Sequence, residues 1–156
     1  DEQRRVFRMI PGLEKAEFVR YGVMHRNTFV NSPAILLPTL QCRNDPGLLF
    51  AGQITGVEGY LESTASGLVA GINAARLILG LPPLAFPRET VTGSLCHYIS
   101  ASQSQPFQPM NANFGILQKS DTVRRKKADR LKIAAFSLKI AHDFGKTLGS
   151  RLDQQL

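Results

Sequence analysis

An apolar run at residues 48–51 leads directly into a glycine-rich segment, and a stretch of helical composition follows at residues 60–79. Such an unbroken apolar run is typical of a strand that is buried on both faces of a parallel sheet. Gly52, Gly56 and Gly59 interrupt regular structure, and Gly80 closes the helix ahead of two prolines. The sequence therefore predicts a buried strand, a glycine loop and a helix in succession, which is an α/β arrangement.

The predicted loop lies at the carboxyl end of a strand, where open α/β sheets bind ligands. Its backbone N–H groups and the positive end of the helix dipole favour an anion or an electron-rich carbonyl, such as the edge of a cofactor. The glycines leave room for a flat or phosphorylated group, while Gln53 offers an amide and Tyr60 a ring. Helix-to-sheet packing is the alternative explanation, because the pattern Gly-x-Gly-x-x-Gly is absent.

Further elements are predicted around this unit. Aromatic and β-branched residues indicate extended chain at 20–30, with shorter strands at 40–42 and 114–117. Helices are predicted for 86–100 and 125–148, and the apolar face of the first consists of Val91, Leu95, Tyr98 and Ile99. Within the helix at 60–79, small residues recur every four positions and predict a neighbour packed at backbone distance: Ser63, Gly67, Gly71 and Ala75.

The composition, 43% hydrophobic and 20% charged, indicates one globular domain or part of one. The uncharged stretch at 63–75 is too short and too rich in glycine for a membrane helix. Cys42 and Cys96 lack metal-ligand spacing, so neither zinc nor a disulfide framework is expected, and a reducing cytoplasm fits best. The first residues contain neither an initiator Met nor an apolar signal region, which predicts that the chain begins mid-protein.

The positive charge is concentrated near the C-terminus. The net charge is +7, and residues 124–156 carry nine Lys and Arg against three Asp and Glu. Residues 1–122 and 123–156 are therefore treated as separate parts. The tail is predicted to form a helix with one packed face, made of Leu131, Ala134, Ala135, Leu138 and Ala141. Two roles remain possible for the basic cluster of Arg124, Arg125, Lys126 and Lys127. It is either an ordinary solvated surface or a set of contacts to RNA phosphates.

Residues 48–76, which read LLFAGQITGVEGYLESTASGLVAGINAAR, closely resemble the second FAD-contacting segment of the glucose-inhibited-division superfamily of tRNA-modifying flavoproteins. The resemblance implies the C-terminal part of a Rossmann-like FAD-binding domain, with the N-terminus of the helix directed at the flavin. It also implies that the loop and the start of the helix contact FAD, through Gly52, Gln53, Ile54, Gly56, Gly59 and Tyr60.

Two other segments indicate the branch of that superfamily. Residues 10–33 and 107–117 are similar to the folate-dependent tRNA uracil methyltransferases. The branch that builds a carboxymethylaminomethyl group on wobble uridine has a different pattern at the first segment. That wobble-uridine activity remains an alternative, as does a non-catalytic RNA-binding module with a flavin fold.

The methyltransferase resemblance implies methylation of a T-loop uracil of tRNA at C5. Methylenetetrahydrofolate would supply the carbon, FAD the reducing equivalents, and NAD(P)H would re-reduce the flavin. The cysteine nucleophile and the Gly-x-Gly-x-x-Gly fingerprint are expected in an upstream remainder of the same polypeptide, and neither Cys42 nor Cys96 is assigned as the nucleophile. The chain alone is therefore expected to be inactive.

Folate needs a flat partner opposite the flavin. The resemblance assigns this place to His25, in the motif Val-Met-His-Arg-Asn-Thr, whereas a half-buried strand histidine is the bland alternative. Asn111 and Asn113 offer amides to a pterin or flavin edge, or else stabilise a turn. Arg26, with Arg20, is a candidate for the folate tail or for a tRNA phosphate.

Overall fold

The computed structural model describes residues 2–22, 27–117 and 130–153, and the side chains of the last range as far as residue 148. Within these ranges, β-pairing is limited to isolated bridges at 36/42, 41/49 and 57/110, the first two antiparallel and the third parallel. The helical elements are α1 (Glu2–Phe7), α2 (Ser32–Ile35), a 3-10 helix (Gln53–Thr55), α3 (Tyr60–Ile78), α4 (Val91–Ala101) and α5 (Arg130–Asp153).

The predicted parallel strand at residues 48–51 is wrong. Leu49 forms an antiparallel bridge with Gln41, and Leu48 is 46% exposed. An apolar run is compatible with burial on both faces, but this segment follows a turn at Pro46 and Gly47 and pairs with one neighbouring segment. The described residues therefore do not contain the open sheet that the sequence predicts.

The other predicted strands also differ from the structure. Residues 40–42 form isolated bridges, and residues 114–117 form a turn in which Gly115 N–H donates to Asn113 Oδ1 at 2.8 Å. Residues 20–22 and 27–30 have no regular secondary structure. Composition favoured strands at these places, but strands require hydrogen-bonded neighbours, and the described residues supply few.

The helix predicted after the glycine loop is confirmed as α3. Gly80 adopts φ +68°, and its N–H donates to Leu77 O, which ends the helix as expected from a C-terminal glycine. The predicted close neighbour is absent from the described residues. Gly67, Gly71 and Ala75 are exposed, and a side chain added at either glycine would meet nothing within 4 Å.

The second long helix, α4, begins later than predicted. Residues 86–90 are not helical, and Thr90 is the N-cap, with its Oγ1 accepting from Gly93 N–H at 3.0 Å. Gly93 has no room for a side chain, because a Cβ there would lie 2.0 Å from Pro87 O. Leu95 and Ile99 are buried as predicted, whereas Val91 is exposed.

Helix α5 is rotated relative to its prediction. Leu131 and Leu138, assigned to the packed face, are 83% and 70% exposed. Ala134 of that face is half-buried, and the other buried and half-buried positions recur at i, i+4, i+7, i+11 and i+15: Ile133, Ser137, Ile140, Phe144 and Leu148. The reason is local, since the Phe144 ring packs edge-on against Phe86, with 4.9 Å between ring centroids. The predicted domain boundary at residue 122 lies outside the described residues.

The core lies where α4 meets α2, α3 and the loops around them. Val69 of α3 and Ile99 of α4 are fully buried, and they belong to one cluster with Leu40, Val57, Leu95, Cys96 and Phe107. Leu40 is held at φ +66°, a conformation that costs a non-glycine residue about 1–2 kcal/mol. Complete burial of its side chain offsets that cost, since burying a leucine contributes about 1.5–3 kcal/mol.

Asn73 ties α3 to the segments that flank it. Its Nδ2 donates to Thr39 O and Leu84 O at 2.9 and 3.0 Å, and its Oδ1 accepts from Leu84 N–H at 2.8 Å. The side chain is fully buried, so the amide needs these three hydrogen bonds to replace the ones it would make with water.

We expect Asn73→Ala to lower the free energy of unfolding by roughly 2–4 kcal/mol, because it removes three part-buried hydrogen bonds at once. Urea titration of the variant beside the unmodified protein measures this loss. Asn44→Ala is the matched control, since Asn44 is exposed and surface changes usually stay within about 0.5 kcal/mol. Equal stabilities for the two variants would show that Asn73 does not stabilise α3.

Candidate functional site

The glycine loop combines two backbone conformations that favour glycine. Gly52 has φ +75° and precedes the 3-10 helix, while Gly59 has φ +103° and is the N-cap of α3. Gly52 N–H donates to Ser66 Oγ at 2.8 Å, which fixes the start of the loop to the second turn of α3. A Cβ at Gly52 would come no closer than 3.9 Å, to Ser63.

A cleft of about 490 Å³ opens beside the loop and the first turn of α3. Three of the predicted cofactor residues line it together, namely Gln53, Gly59 and Tyr60. The Tyr60 ring is 96% exposed, so it presents an aromatic surface at the mouth of the cleft. The remaining lining residues, which the sequence analysis did not predict, are Asn27, Glu58 and Ser63.

Gly56 differs from the other two loop glycines because it faces the core. It adopts φ +81° in the left-handed region, and a Cβ there would lie 2.6 Å from the Phe107 ring. Phe107 is buried in the core cluster, so the missing side chain at Gly56 leaves the space for that ring. Ile54, also predicted to contact the cofactor, is partly exposed, and its carbonyl accepts from Val30 N–H at 2.9 Å.

The N-terminus of α3 is next to the cleft and has no side-chain cap. Its first-turn N–H groups and the helix dipole create a positive potential there. Glu62 in the first turn partly balances this potential, and its Oε1 accepts from Ala112 N–H at 3.2 Å. The carboxylate thus joins the start of α3 to the segment that contains Asn111 and Asn113.

That segment is held against the glycine loop by backbone pairing. Met110 N–H donates to Gly56 O, and Glu58 N–H donates to Met110 O, both at 2.9 Å. Asn111 is exposed next to this bridge. Asn113 uses its side chain within the local turn, donating to Asn111 O at 3.0 Å and accepting from Gly115 N–H. These hydrogen bonds support the alternative that Asn113 stabilises a turn.

Several predicted site residues lie outside the described residues: His25, Arg26, Arg124, Arg125, Lys126 and Lys127. Asn27, which follows the predicted folate segment, lines the cleft with Gln53 and Tyr60. The structure therefore brings the described end of that segment to the glycine loop.

The Cys96 thiol is not activated, and the described side chains form no metal cluster. Burial raises the pKa of the Cys96 thiol to about 12, so it stays protonated and unreactive near neutral pH. No group of three His, Cys, Asp or Glu is arranged to hold a metal ion among the described side chains. Among the described helices, none combines the length and the apolar character that crossing a membrane requires.

Residues 1–82 match the family model described as "Glucose inhibited division protein A". A methylenetetrahydrofolate–tRNA-(uracil-5-)-methyltransferase TrmFO of Pelotomaculum thermopropionicum is 64% identical over 86% of this chain. Relatives of the same description from Natranaerobius thermophilus and Heliobacterium modesticaldum are 60% and 68% identical over 92% and 74% of it. The matches cover 31%, 33% and 26% of those relatives, so the chain spans about a third of their length.

A solved structure, that of Aquifex aeolicus GidA in its form II crystal, superimposes on this chain with a TM-score of 0.54. The two are 28% identical, and the match covers 94% of this chain and 22% of the other. The chain is more similar to these methyltransferases than to this GidA, in agreement with the resemblance of residues 10–33 and 107–117. Since the family model covers more than half of its residues, the chain belongs to the glucose inhibited division protein A family.

Proposed function

We propose that this chain is the part of a tRNA uracil-5-methyltransferase that completes the flavin and folate site. The observation that carries the proposal is the cleft beside the glycine loop, where predicted cofactor residues meet in a chain 58–68% identical to methylenetetrahydrofolate–tRNA-(uracil-5-)-methyltransferases. The proposed reaction transfers one carbon from methylenetetrahydrofolate to C5 of a T-loop uracil. NAD(P)H is the proposed final reductant.

The residues at the cleft fit a flavin. Gly52 and Gly59 adopt positive φ, Gly59 lines the cleft, and the uncapped N-terminus of α3 favours an electron-rich or anionic group. The Gln53 amide can both donate and accept hydrogen bonds, and Tyr60 provides an exposed ring. When bound, FAD would supply the reducing equivalents that convert a transferred methylene group into a methyl group.

The folate would lie against the same cleft. Stacking orients a flat substrate as well as burying it, so we assign His25 to the pterin. Asn111 is available to a pterin or flavin edge, because its side chain is exposed beside the bridge at residues 57 and 110. Asn113 is assigned the same role less directly, since its amide already serves the turn.

Partners follow from the same proposal. The T-loop uracil belongs to tRNA, so Arg26 and the basic cluster at residues 124–127 are proposed to contact phosphates. The remaining site residues, including the cysteine nucleophile and the phosphate-binding fingerprint, are assigned to an upstream remainder of the polypeptide. The proposal also includes a Rossmann-like FAD-binding domain whose C-terminal part ends at residue 122, a basic helix and tail at residues 123–156, and a cytoplasmic location.

The wobble-uridine activity is the second candidate, favoured by the likeness to Aquifex aeolicus GidA. Deleting the gene and analysing tRNA nucleosides separates the two activities. We expect 5-methyluridine to disappear from the T-loop while the wobble modification persists. Loss of the wobble modification alone would contradict the methyltransferase proposal, and loss of neither would favour the non-catalytic module.

We expect a bulky substitution at Gly52 to reduce FAD retention sharply, because Gly52→Leu directs a side chain toward Ser63 at the cleft. Flavin absorbance per protein, in the full-length enzyme, measures retention. Gly12→Leu is the matched control, since Gly12 also has positive φ and open space around it but lies outside the cleft. Both positions have positive φ, so both changes strain the backbone, at Gly52 by roughly 1–3 kcal/mol. Equal flavin content in the two variants would show that Gly52 does not border the flavin.

We expect His25→Ala in the full-length enzyme to retain FAD and to lose folate-dependent methylation of tRNA. Stacking contributes roughly 1 kcal/mol beyond area burial, so folate should bind about tenfold more weakly, and misorientation should lower the rate further. His25→Phe keeps a flat ring and should recover part of the activity. The measurement is transfer of label from methylenetetrahydrofolate to tRNA at equal flavin content.

The half-buried histidine of α4 supplies the control for this series. His97→Ala should leave methylation unchanged, because the side chain has no place in the cleft. Wild-type activity in His25→Ala would refute the stacking assignment. If the Phe variant is as inactive as the Ala variant, the imidazole contributes hydrogen bonding or proton transfer instead.

A further inference from the structure

The Glu62 carboxylate is held over the start of α3. Its Oε1 accepts from Ala112 N–H at 3.2 Å. The carboxylate also lies against the N-cap of the helix, because a Cβ at Gly59 would come within 2.7 Å of its carboxyl carbon. Glu62 is half-buried, so these two contacts restrict where its side chain can point. The negative charge therefore has a fixed place at this end of α3.

The same end of α3 borders the cleft. Gly59, Tyr60 and Ser63 line the cleft, and they are the N-cap and the first and fourth residues of the helix. Glu62 is the third helical residue, and it lines a smaller cavity of about 290 Å³ together with Leu61. Its charge thus acts on the cleft across one turn of helix, without filling the space that a flavin would occupy.

Opposite charges meet at this turn. The free N–H groups and the dipole of α3 act like roughly half a positive elementary charge at the N-terminus, and Glu62 places a carboxylate within the same turn. No described Lys or Arg forms an ion pair with Glu62. Glu58 also lines the cleft, but its side chain is exposed, so solvent screens its charge more strongly. Glu62 therefore weakens the positive potential that the helix presents to the cleft.

We propose that Glu62 lowers the reduction potential of a flavin bound in the cleft. The inference rests on the proposed function, which supplies FAD as the ligand and NAD(P)H as its reductant. A flavin that takes up two electrons and one proton becomes an anion, so a nearby carboxylate disfavours the reduced form. A lower potential makes the reduced flavin a stronger donor, as the reduction of a methylene group to a methyl group requires.

A purely structural role is the alternative, because Glu62 also joins α3 to the segment at residues 110–113. Glutamine is nearly the same size and keeps an oxygen that can accept from Ala112 N–H. Glu62→Gln therefore removes the charge and preserves the contact. A structural role predicts an unchanged flavin potential in this variant, whereas an electrostatic role predicts a higher one.

The test measures the midpoint potential of FAD in the full-length enzyme at pH 8, by spectral titration against redox dyes of known potential. Removing a carboxylate from the first turn of a helix should change the ratio of reduced to oxidised flavin roughly 2- to 5-fold, which is a rise of about 9–21 mV for a two-electron couple. Leu61→Glu adds a carboxylate to the same turn and should lower the potential by a similar or smaller amount. Leu61 is 84% exposed, so this change leaves the contact between Glu62 and Ala112 intact.

Glu89→Gln is the matched control. Glu89 is half-buried and precedes Thr90, the N-cap of α4, so it lies beside a helix N-terminus but outside the cleft lining. A higher potential in Glu62→Gln, a lower one in Leu61→Glu and an unchanged one in the control support the inference. Equal potentials in all four proteins, or an equal rise in Glu62→Gln and Glu89→Gln, overturn it. If Glu62→Gln does not retain FAD, the direction of the shift in Leu61→Glu decides.

Methylation of tRNA in the same proteins separates this inference from the proposed function. A flavin whose potential responds to residues 61 and 62, in an enzyme that methylates no uracil, would refute the proposed function and leave the inference standing. Normal methylation with a potential that ignores both residues would do the reverse. An unmodified full-length enzyme that binds no flavin would overturn both.

Discussion

The backbone bridge between Val57 and Met110 determines how the candidate site is assembled. Its hydrogen bonds, from Met110 N–H to Gly56 O and from Glu58 N–H to Met110 O, join segments more than fifty residues apart in sequence. The same pairing holds Phe107 over Gly56 in the core and brings Ala112 to the Glu62 carboxylate. The cleft, the start of α3 and the asparagine segment therefore depend on one short contact.

The glycines of the loop have two distinct physical roles. Gly56 faces inward, where a buried aromatic ring excludes a side chain, so its identity is explained by packing alone. Gly52 and Gly59 also adopt positive φ, and Gly59 lines the cleft. A Cβ at Gly52 would come no closer than 3.9 Å, to the cleft residue Ser63, and a Cβ at Gly59 would meet the end of the flexible Glu62. Backbone conformation and open surroundings, rather than core packing, explain why these two positions are glycine. A cofactor contact is accordingly better supported at Gly52 and Gly59 than at Gly56.

The sequence predicted local features well and those that depend on distant partners poorly. α3 and its end at Gly80 were predictable because composition, length and a C-terminal glycine act locally. The strand at 48–51 was wrong, because hydrophobicity indicates burial but does not identify the neighbour that a strand needs. α5 was rotated in the prediction, because Ala and Leu fit several faces and the Phe86–Phe144 contact selects one. Asn27 and Glu58 were missed at the cleft, since neither stands in a recognisable motif.

Under the proposed function, the described residues are assigned binding and orientation, and the nucleophile of methyl transfer is assigned to the upstream polypeptide. A covalent nucleophile must ionise or be activated by a base, whereas burial keeps the Cys96 thiol protonated with a pKa of about 12. The charged group near the cleft is instead held in place. Glu62 opposes the dipole of α3, and its carboxylate accepts a hydrogen bond from Ala112 N–H. Reactivity in the proposed enzyme then depends on groups contributed from outside the described residues, positioned against a surface that this chain preorganises.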